Sequence, residues 1–377
     1  MTRIVATGVA LALTAIACSG PVSTTDADPP TTTTGPSSPD PAAPGTTAGP
    51  TSTRAAPTTT PAIDAPTTDV EVATINVLHG LNPPISGCAV TTDQCRAPVR
   101  TDILWDYLED DVGCPEIIAL QEISPRWFEI IPEKLPSLCD GTHVLLADDL
   151  GLFDQEMILT TLPVLDDARI ELAGAPVWSA HWAQLDAGEG LTVDVFATHY
   201  ASSSFDPPCS PDSPATTCRS SCPVGSTLGD CHPFETLDIL AERAAPGSLQ
   251  LVVGDLNREI DDPRIQTLLD DGFIDTHLAA GNDECDPTGG ANCTSGIGGD
   301  TDLDGLDIAE QTPDARIDFI LARSPEGCTV ILDVDDGDGD GTTTGLWADA
   351  PLPEPIAGLY WPSDHTGVQA DIGLDCT

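Results

Sequence analysis

Positive charge is scarce in this sequence. The 377 residues include 13 Lys and Arg against 61 Asp and Glu, which gives a formal net charge of -48. A surface of that charge repels nucleic-acid phosphates and anionic membranes, so it argues against tight, non-specific binding to nucleic acid. A phosphate-containing substrate remains compatible with it, because a bound divalent cation reverses the charge locally.

Long apolar runs are scarce as well. The apolar stretch "IVATGVALALTAIA" follows Arg3 and is too short to span a membrane, so residues 1–18 are predicted to be a signal peptide. Cys18 directly follows an A-x-A cleavage pattern, which resembles a bacterial lipobox with Ala15 in place of the usual Leu. We therefore expect an exported protein that is either a cell-surface lipoprotein anchored through Cys18 or a secreted protein with a free thiol there.

The composition divides the chain at about Val70. Residues 19–69 are rich in Thr, Pro, Ala and Ser and show no apolar periodicity, which predicts a disordered stalk that could carry O-linked sugars. From residue 70 to residue 377, alternating β-rich runs intermix with helical patterns and show no repeats. This pattern favours a single α/β domain whose sheets pack face to face with helices outside.

Polar side chains stand at the ends of several predicted strands of this domain. They are Asn76, Glu122, His199, Asp255, Asn257, Asp318, Asp364 and His365. Oxygen ligands of this kind hold Mg²⁺ or Mn²⁺, and imidazoles at the same site transfer protons or contact a phosphate. A cluster of these residues in one cleft would suit the hydrolysis of a phosphoester.

Six segments carry a resemblance to a known family. "TINVLHG", "IIALQEI", "FATHY", "LVVGDLN", "RIDFILA" and "WPSDHTGV" occur in this order. Together they resemble the endonuclease/exonuclease/phosphatase superfamily, also called deoxyribonuclease I-like. The resemblance implies an α/β fold of two stacked mixed β-sheets flanked by helices, a four-layer α-β-β-α sandwich. It also implies a metal-dependent hydrolase that acts on phosphoester bonds.

The resemblance further implies a metal site that uses Mg²⁺ or Mn²⁺. Glu122 would be the main ligand with Asn76 beside it, and Asp364 would bind the same cation or a second one. His199 would be one of two catalytic imidazoles. Some family members pair this His with an acidic residue, and Glu156 in "DQEMILT" is the candidate here.

The remaining roles that the resemblance implies concern the reacting atoms. Asp255 would orient or deprotonate the attacking water, and Asn257 would bind the scissile phosphate and help to place Asp255. His365 would act on the phosphate as an acid or base, with Asp318 holding its ring.

A cysteine-rich insertion at about residues 202–232 departs from the family pattern. Its cysteines are Cys209, Cys218, Cys222 and Cys231. Four cysteines can bind zinc, but two disulfides are expected in an exported chain. The insertion starts just after His199, so we expect it to border the cleft and shape substrate access. Local pairs are expected elsewhere, between Cys88 and Cys95, Cys114 and Cys139, Cys285 and Cys293, and Cys328 and Cys376.

An acidic loop offers a second metal site of another kind. Asp300, Asp302 and Asp304 have the spacing of a calcium loop, but Gln311 stands where an EF-hand has Glu. With Asp307 the loop resembles the calcium-binding repeats of thrombospondin type. Either it holds a structural Ca²⁺ or it is a solvated acidic loop.

Three functions are consistent with these features. The first is a divalent-metal-dependent phosphoesterase that hydrolyses a phosphodiester or phosphomonoester at the cell surface. The second is an extracellular nuclease of the same superfamily. The third is a non-catalytic surface module that binds calcium or a partner. Oligomeric state has no signal in the sequence.

The calcium hypothesis can be tested by isothermal titration of the full chain. If the loop is a Ca²⁺ site, replacing Asp300, Asp302 and Asp304 by Ala removes one Ca²⁺-binding event, because the carboxylate oxygens that would hold the cation are lost. The same change at Asp336, Asp338 and Asp340, in a second acidic turn, serves as the matched control and should leave that event intact. Identical isotherms for wild type and the loop variant would indicate a solvated loop.

Overall fold

A computed structural model describes residues 69–78, 96–149, 155–175, 178–203, 206–210, 216–298, 305–332 and 344–376. The predicted signal peptide with Cys18, nearly all of the predicted stalk and the Cys88–Cys95 pair lie outside the described residues, as do Asp300, Asp302 and Asp304. Within these described ranges, no helix is both long enough and apolar enough to cross a membrane.

Strands and helices alternate along the described chain, as the sequence pattern predicts. The strands are β1 (Val70–Asn76), β2 (Ile117–Gln121), β3 (Val144–Leu146), β4 (Met157–Thr160), β5 (Val164–Glu171), β6 (Ser179–Gly188), β7 (Leu191–Thr198), β8 (Leu249–Asp255), β9 (Ile274–Asp275), β10 (Asp318–Arg323), β11 (Thr329–Leu332), β12 (Gly345–Trp347) and β13 (Gly367–Asp375). The helices are α1 (Ala97–Asp110), α2 (Pro125–Lys134), α3 (Leu228–Arg243), α4 (Pro263–Asp270) and the short α5 (Thr276–Ala279), and a 3₁₀ turn covers Leu135–Ser137.

The strands form two mixed sheets. The first has the order β11-β13-β1-β2-β4-β3, with β12 also paired to β13, and the second has the order β5-β6-β7-β8-β10-β9. In each sheet one central pair is parallel, β1 with β2 and β7 with β8, and the other pairs are antiparallel. The prediction of two stacked mixed sheets flanked by helices is confirmed.

Three apolar clusters hold the four layers together. Between the sheets, residues such as Val72 and Ile117 of the first sheet pack with Val195 and Leu251 of the second. The outer face of the first sheet packs against α1 and α2, and the outer face of the second packs against α3 and α4. The central strands are buried on both faces, which explains their nearly continuous apolar runs.

The insertion differs from its prediction at one end. Helix α3 begins at Leu228, inside the segment assigned to the insertion, because Thr227 and Asp230 form a reciprocal capping box there. The insertion contains disulfides between Cys209 and Cys218 and between Cys222 and Cys231, as expected. The expected pairs Cys114–Cys139, Cys285–Cys293 and Cys328–Cys376 are also present.

The two sheets approach closely at Gly254, one residue before the end of β8. Its φ is +130°, and a Cβ atom there would lie 2.1 Å from the carbonyl oxygen of Thr198 and 3.0 Å from the Cδ of Gln121. Gln121 belongs to the other sheet and exchanges hydrogen bonds with Thr74. Because only glycine fits this position, Gly254 sets the spacing of the strands that carry the polar residues at their ends.

Gly254→Ala should therefore destabilise the domain strongly, by roughly 3 kcal/mol or more, since backbone of a buried strand would have to move. Gly247→Ala is the matched control, because Gly247 also has a positive φ (+79°) but a Cβ there meets nothing within 4 Å. The control should lose only about 1 kcal/mol. Denaturant unfolding of the two variants measures the difference, and equal losses would refute the close-packing argument.

Candidate active site

The topology brings the predicted site residues to one edge of the sandwich. Parallel strands end at the same edge of a sheet, so Asn76 of β1 lies beside the residue that follows β2, Glu122. Asp318 opens β10, which runs antiparallel to β8, and it pairs in register with Asp255. Segments far apart in the sequence therefore meet because their strands are neighbours.

The Asp255 carboxylate lies at the centre of this cluster. Asn76 Nδ2 donates to its Oδ2 at 3.0 Å, and the backbone NH of Asn257 donates to its Oδ1 at 2.7 Å. His199 Nε2 and His365 Nε2 lie 3.4 and 3.9 Å from Oδ2. Burial, reinforced by the negative charge of Asp318, raises the pKa of Asp255 to about 6. The carboxylate is thus poised to accept a proton near neutral pH.

His365 forms a buried pair with Asp318. Its Nδ1 lies 2.8 Å from Asp318 Oδ2, and both side chains are buried. Burial alone would lower the pKa of His365, but the adjacent Asp318 carboxylate outweighs it and holds that pKa well above 6.5. Asp318 also fixes the ring so that Nε2 faces Asp255. The predicted contact between this histidine and Asp318 is present.

His199, the second imidazole beside Asp255, contacts Asn257. Asn257 Nδ2 lies 2.7 Å from His199 Nε2 and also donates to the carbonyl of Tyr200 at 2.9 Å. An amide nitrogen only donates, so this contact places a lone pair on Nε2 and the imidazole proton on Nδ1. Asn257 holds a left-handed backbone with φ of 55°, a conformation that Asn tolerates better than most residues.

Glu156, the predicted partner of His199, directly precedes β4 of the first sheet. It is buried and accepts a hydrogen bond of 2.6 Å from Ser179 Oγ. Ala180 pairs with Thr198 in the antiparallel β6–β7 register, so Ser179 stands opposite His199. Glu156 is thus hydrogen-bonded to the residue opposite His199, and its pairing with the imidazole stays a prediction.

Glu122 and Asp364 are the acidic members of the predicted metal set. Glu122 has a left-handed backbone with φ of 60° and accepts Asn76 Nδ2 at 3.0 Å. Asp364 lies 3.2 Å from its neighbour Ser363 Oγ, which also donates to the Asn76 carbonyl. Burial raises the pKa of Asp364 to about 6, and the negative charge of Glu122 adds to that shift. Two crowded carboxylates of this kind fit a hard divalent cation, which would relieve their repulsion.

Asn76 has a different environment from the two carboxylates. Its amide nitrogen bridges Glu122 and Asp255, and its oxygen accepts the backbone NH of Leu78 at 3.0 Å. It therefore orients both carboxylates, and ligation of a cation by Asn76 stays a prediction. A second donor set is formed by Asp255, Asp318 and His365, which offer ligand atoms within 4.8 Å of one another.

Arg100 is a site neighbour that the sequence reasoning missed. It is fully buried on α1, stacks over Trp127 at 5.1 Å from the ring centroid and donates to the Leu78 carbonyl at 2.6 Å. Burial lowers the pKa of Arg100 to about 10, with the charges of Asp364 and Glu122 opposing that change. The available signal was its spacing: Arg100 falls on the same helical stripe as Ile103, Leu104 and Leu108.

Two further arginines near the predicted motifs are neutralised by acidic side chains. Arg316 contacts Asp275 at 2.7 Å and Glu284 at 2.5 Å, and Arg258 contacts Asp206 at 3.2 Å. Neither guanidinium is therefore available as an unpaired phosphate-binding cation. Asp307, the described member of the predicted calcium loop, is exposed.

Comparisons with known structures agree with this architecture. TDP2 from C. elegans superposes with a TM-score of 0.50 at 19% identity, over 81% of this chain and 75% of that chain. An endonuclease/exonuclease/phosphatase from Bacteroides vulgatus gives 0.52 at 17% identity, over 81% and 99%. D. rerio TDP2, solved with a single-strand DNA product, gives 0.52 at 15% identity, over 81% and 98%.

The chain has the endonuclease/exonuclease/phosphatase fold. No protein-family model and no curated protein matches the sequence. At these identities the likeness establishes the fold alone, so the chemistry of the site rests on its own residues.

The buried charges of this site predict a pH dependence of stability for the metal-free protein. Asp255 and Asp364 have pKa values raised from 3.8 to about 6, so their stabilising protons are lost as pH rises from about 4 through 6. His365 contributes stability that is complete below 6.5 and is lost as pH rises through its elevated pKa. The melting temperature measured in chelator should therefore be higher at pH 5 than at pH 8.

Repulsion across the acidic surface also weakens as pH falls and would itself raise the melting temperature. A variant is therefore needed to isolate the contribution of Asp255. Asp255→Asn lacks one of the buried titrations but keeps the surface, and its melting temperature should rise less between pH 8 and pH 5, by at least about 3 °C. Parallel curves for wild type and variant would show that Asp255 titrates normally.

Proposed function

We propose that this protein is a divalent-metal-dependent phosphoesterase. The observation that supports it most is the buried Asp255 carboxylate, which lies within 4 Å of two imidazoles while a second carboxylate, Asp318, holds one of them. A carboxylate that accepts protons beside an imidazole that donates them is the arrangement that general acid–base hydrolysis requires.

Asp255 would orient and deprotonate the attacking water. Its pKa of about 6 leaves it largely ionised at neutral pH and still basic enough to accept a proton. Asn76 and the Asn257 backbone NH hold both oxygens of this carboxylate, so its direction is fixed before substrate enters.

His365 would supply the opposite charge. Because Asp318 keeps it protonated, its Nε2–H can donate to a phosphate oxygen or to the leaving group. Asn257 and His199 would contact the phosphate beside Asp255, with the phosphate replacing their mutual contact.

Glu122 and Asp364, with Asn76 beside them, would hold a Mg²⁺ or Mn²⁺ ion. When bound, the cation would neutralise the phosphate charge and stabilise the negative charge that develops in the transition state. The two carboxylates would provide its anionic oxygen ligands, and Arg100 behind them would limit their net charge.

A small phosphodiester or phosphomonoester is the favoured substrate. The arginines near the cleft, Arg258 and Arg316, are paired with carboxylates, so they offer no track for a polynucleotide backbone. An extracellular nuclease is the second candidate, because one structural neighbour was solved with a single-strand DNA product. A panel of plasmid DNA, RNA, sphingomyelin and inositol phosphates separates these substrate classes. A location at the cell surface is proposed from the N-terminal segment alone.

His365→Ala and Asp255→Asn should each lower turnover of bis-p-nitrophenyl phosphate with Mg²⁺ or Mn²⁺ by at least about a hundredfold, because each removes a proton-transfer group. His181 and Asp167 form a histidine–aspartate pair at 3.2 Å between β5 and β6, outside this cluster. Asp167→Asn is therefore the matched control and should retain wild-type turnover. Wild-type rates in both site variants would instead favour the non-catalytic calcium- or partner-binding module.

A further inference from the structure

A cluster of buried ion pairs joins the cysteine-rich insertion to the loop after β8. Its two cations, Arg258 and Arg264, come from that loop and from α4. Two of its carboxylates, Asp206 and Asp230, come from the insertion segment and the first turn of α3. The insertion is thus bonded to the residues that immediately follow Asn257.

Arg258 contacts Asn257 directly. Its Nη1 donates to the carbonyl oxygen of Asn257 at 2.5 Å, and its Nη2 donates to Asp206 Oδ2 at 3.2 Å. Nε lies 3.6 Å from Asp262 Oδ2. Only 8% of the Arg258 side chain is exposed, so the guanidinium is fixed from several sides and holds Asn257 in its left-handed conformation.

Asp206 in turn anchors Arg258 to the insertion. Its Oδ1 accepts the backbone NH of Gly229 at 2.8 Å, at the start of α3, and its Oδ2 also lies 3.4 Å from Arg264 Nη2. Its side chain is 9% exposed. A buried carboxylate with three donors has little freedom to move, so it transmits the position of the insertion to Arg258.

The base of the insertion is itself closed. Pro208 and Thr227 form an antiparallel bridge, with Cys209 NH donating to Ser226 at 2.8 Å. The Cys209–Cys218 disulfide lies within the segment that this bridge closes, and the Cys222–Cys231 disulfide joins that segment to α3. Asp206 therefore lies directly beside a segment that is cross-linked by disulfides.

We propose that Asp206 and Arg258 are positioning residues through which the disulfide-bonded insertion sets the orientation of Asn257, and with it the contact between Asn257 Nδ2 and His199 Nε2. This inference rests on the proposed phosphoesterase function for its kinetic consequence. Its structural part, the placement of the Asn257 amide against the imidazole, holds for the chain irrespective of what the site hydrolyses.

The test combines kinetics with nuclear magnetic resonance of the full chain labelled with ¹⁵N-histidine. In Asp206→Asn and Arg258→Met, the Nε2 signal of His199 should shift because the amide donor is displaced. The kcat/KM for bis-p-nitrophenyl phosphate should fall roughly tenfold or more, since small misplacements of a phosphate contact are costly. Arg258→Lys retains the charge beside Asp206 and should recover part of both properties.

Asp230→Asn is the matched control within the same cluster. Asp230 binds Arg264 at 2.8 Å and caps α3, and within the described residues it forms no hydrogen bond or ion pair with Arg258 or Asn257. This variant should lower the melting temperature yet keep the His199 signal and kcat/KM within about twofold of wild type.

The outcomes separate the two proposals. A His199 signal unchanged in both Asp206→Asn and Arg258→Met, or moved equally in Asp230→Asn, would overturn the positioning role. If one variant does not fold, the other still decides. A wild-type protein with no esterase activity, but with the expected His199 shifts in the variants, would refute the phosphoesterase while supporting the positioning role.

Discussion

The site depends on one hydrogen bond that crosses between the two sheets. Asn76 ends a strand of the first sheet, and its amide nitrogen donates to Asp255, which ends a strand of the second, at 3.0 Å. The same nitrogen donates to Glu122, so a single amide fixes a carboxylate of each sheet. Gly254 permits the close approach of the strands just behind this bond. The same Asn76 side chain therefore positions a proposed metal ligand, Glu122, and the proposed base, Asp255.

This arrangement brings several negatively charged side chains close together. Asp255, Asp318, Glu122 and Asp364 stand at one end of the sandwich, and burial disfavours the ionised forms of Asp255 and Asp364. His365 and Arg100 supply buried positive charge. The pKa values of Asp255 and Asp364 nevertheless stay above the ordinary value of 3.8. The cluster is thus arranged for a further cation, which is the physical reason for favouring a metal-dependent reaction over a passive surface module.

The sequence predicted the fold and the strand-end residues well, because both leave local signals. An apolar run that ends in Asp or His can be recognised in the sequence itself. The order of these runs carries the family resemblance, and that resemblance implies the two-sheet fold. Strand β5 was not predicted, since half of its positions are exposed and its "VLDDARIE" alternates poorly. Arg100 and Asp206 were missed for another reason. Their roles come from partners 22 and 52 residues away, and no local pattern records such pairs.

The same distinction explains why the insertion matters to the site. The cysteines of the insertion predict a cross-linked segment, but only the folded chain shows that Asp206 contacts Arg258. An insertion that merely bordered the cleft would need no buried charge at its base, because surface pairs contribute little to stability. Here the pair is almost completely buried, so losing one partner leaves a buried charge next to Asn257 with only its longer ion pair to compensate it. The insertion and the loop after β8 are therefore joined by a buried ion pair, and under the proposed positioning role a shift of the insertion would move Asn257.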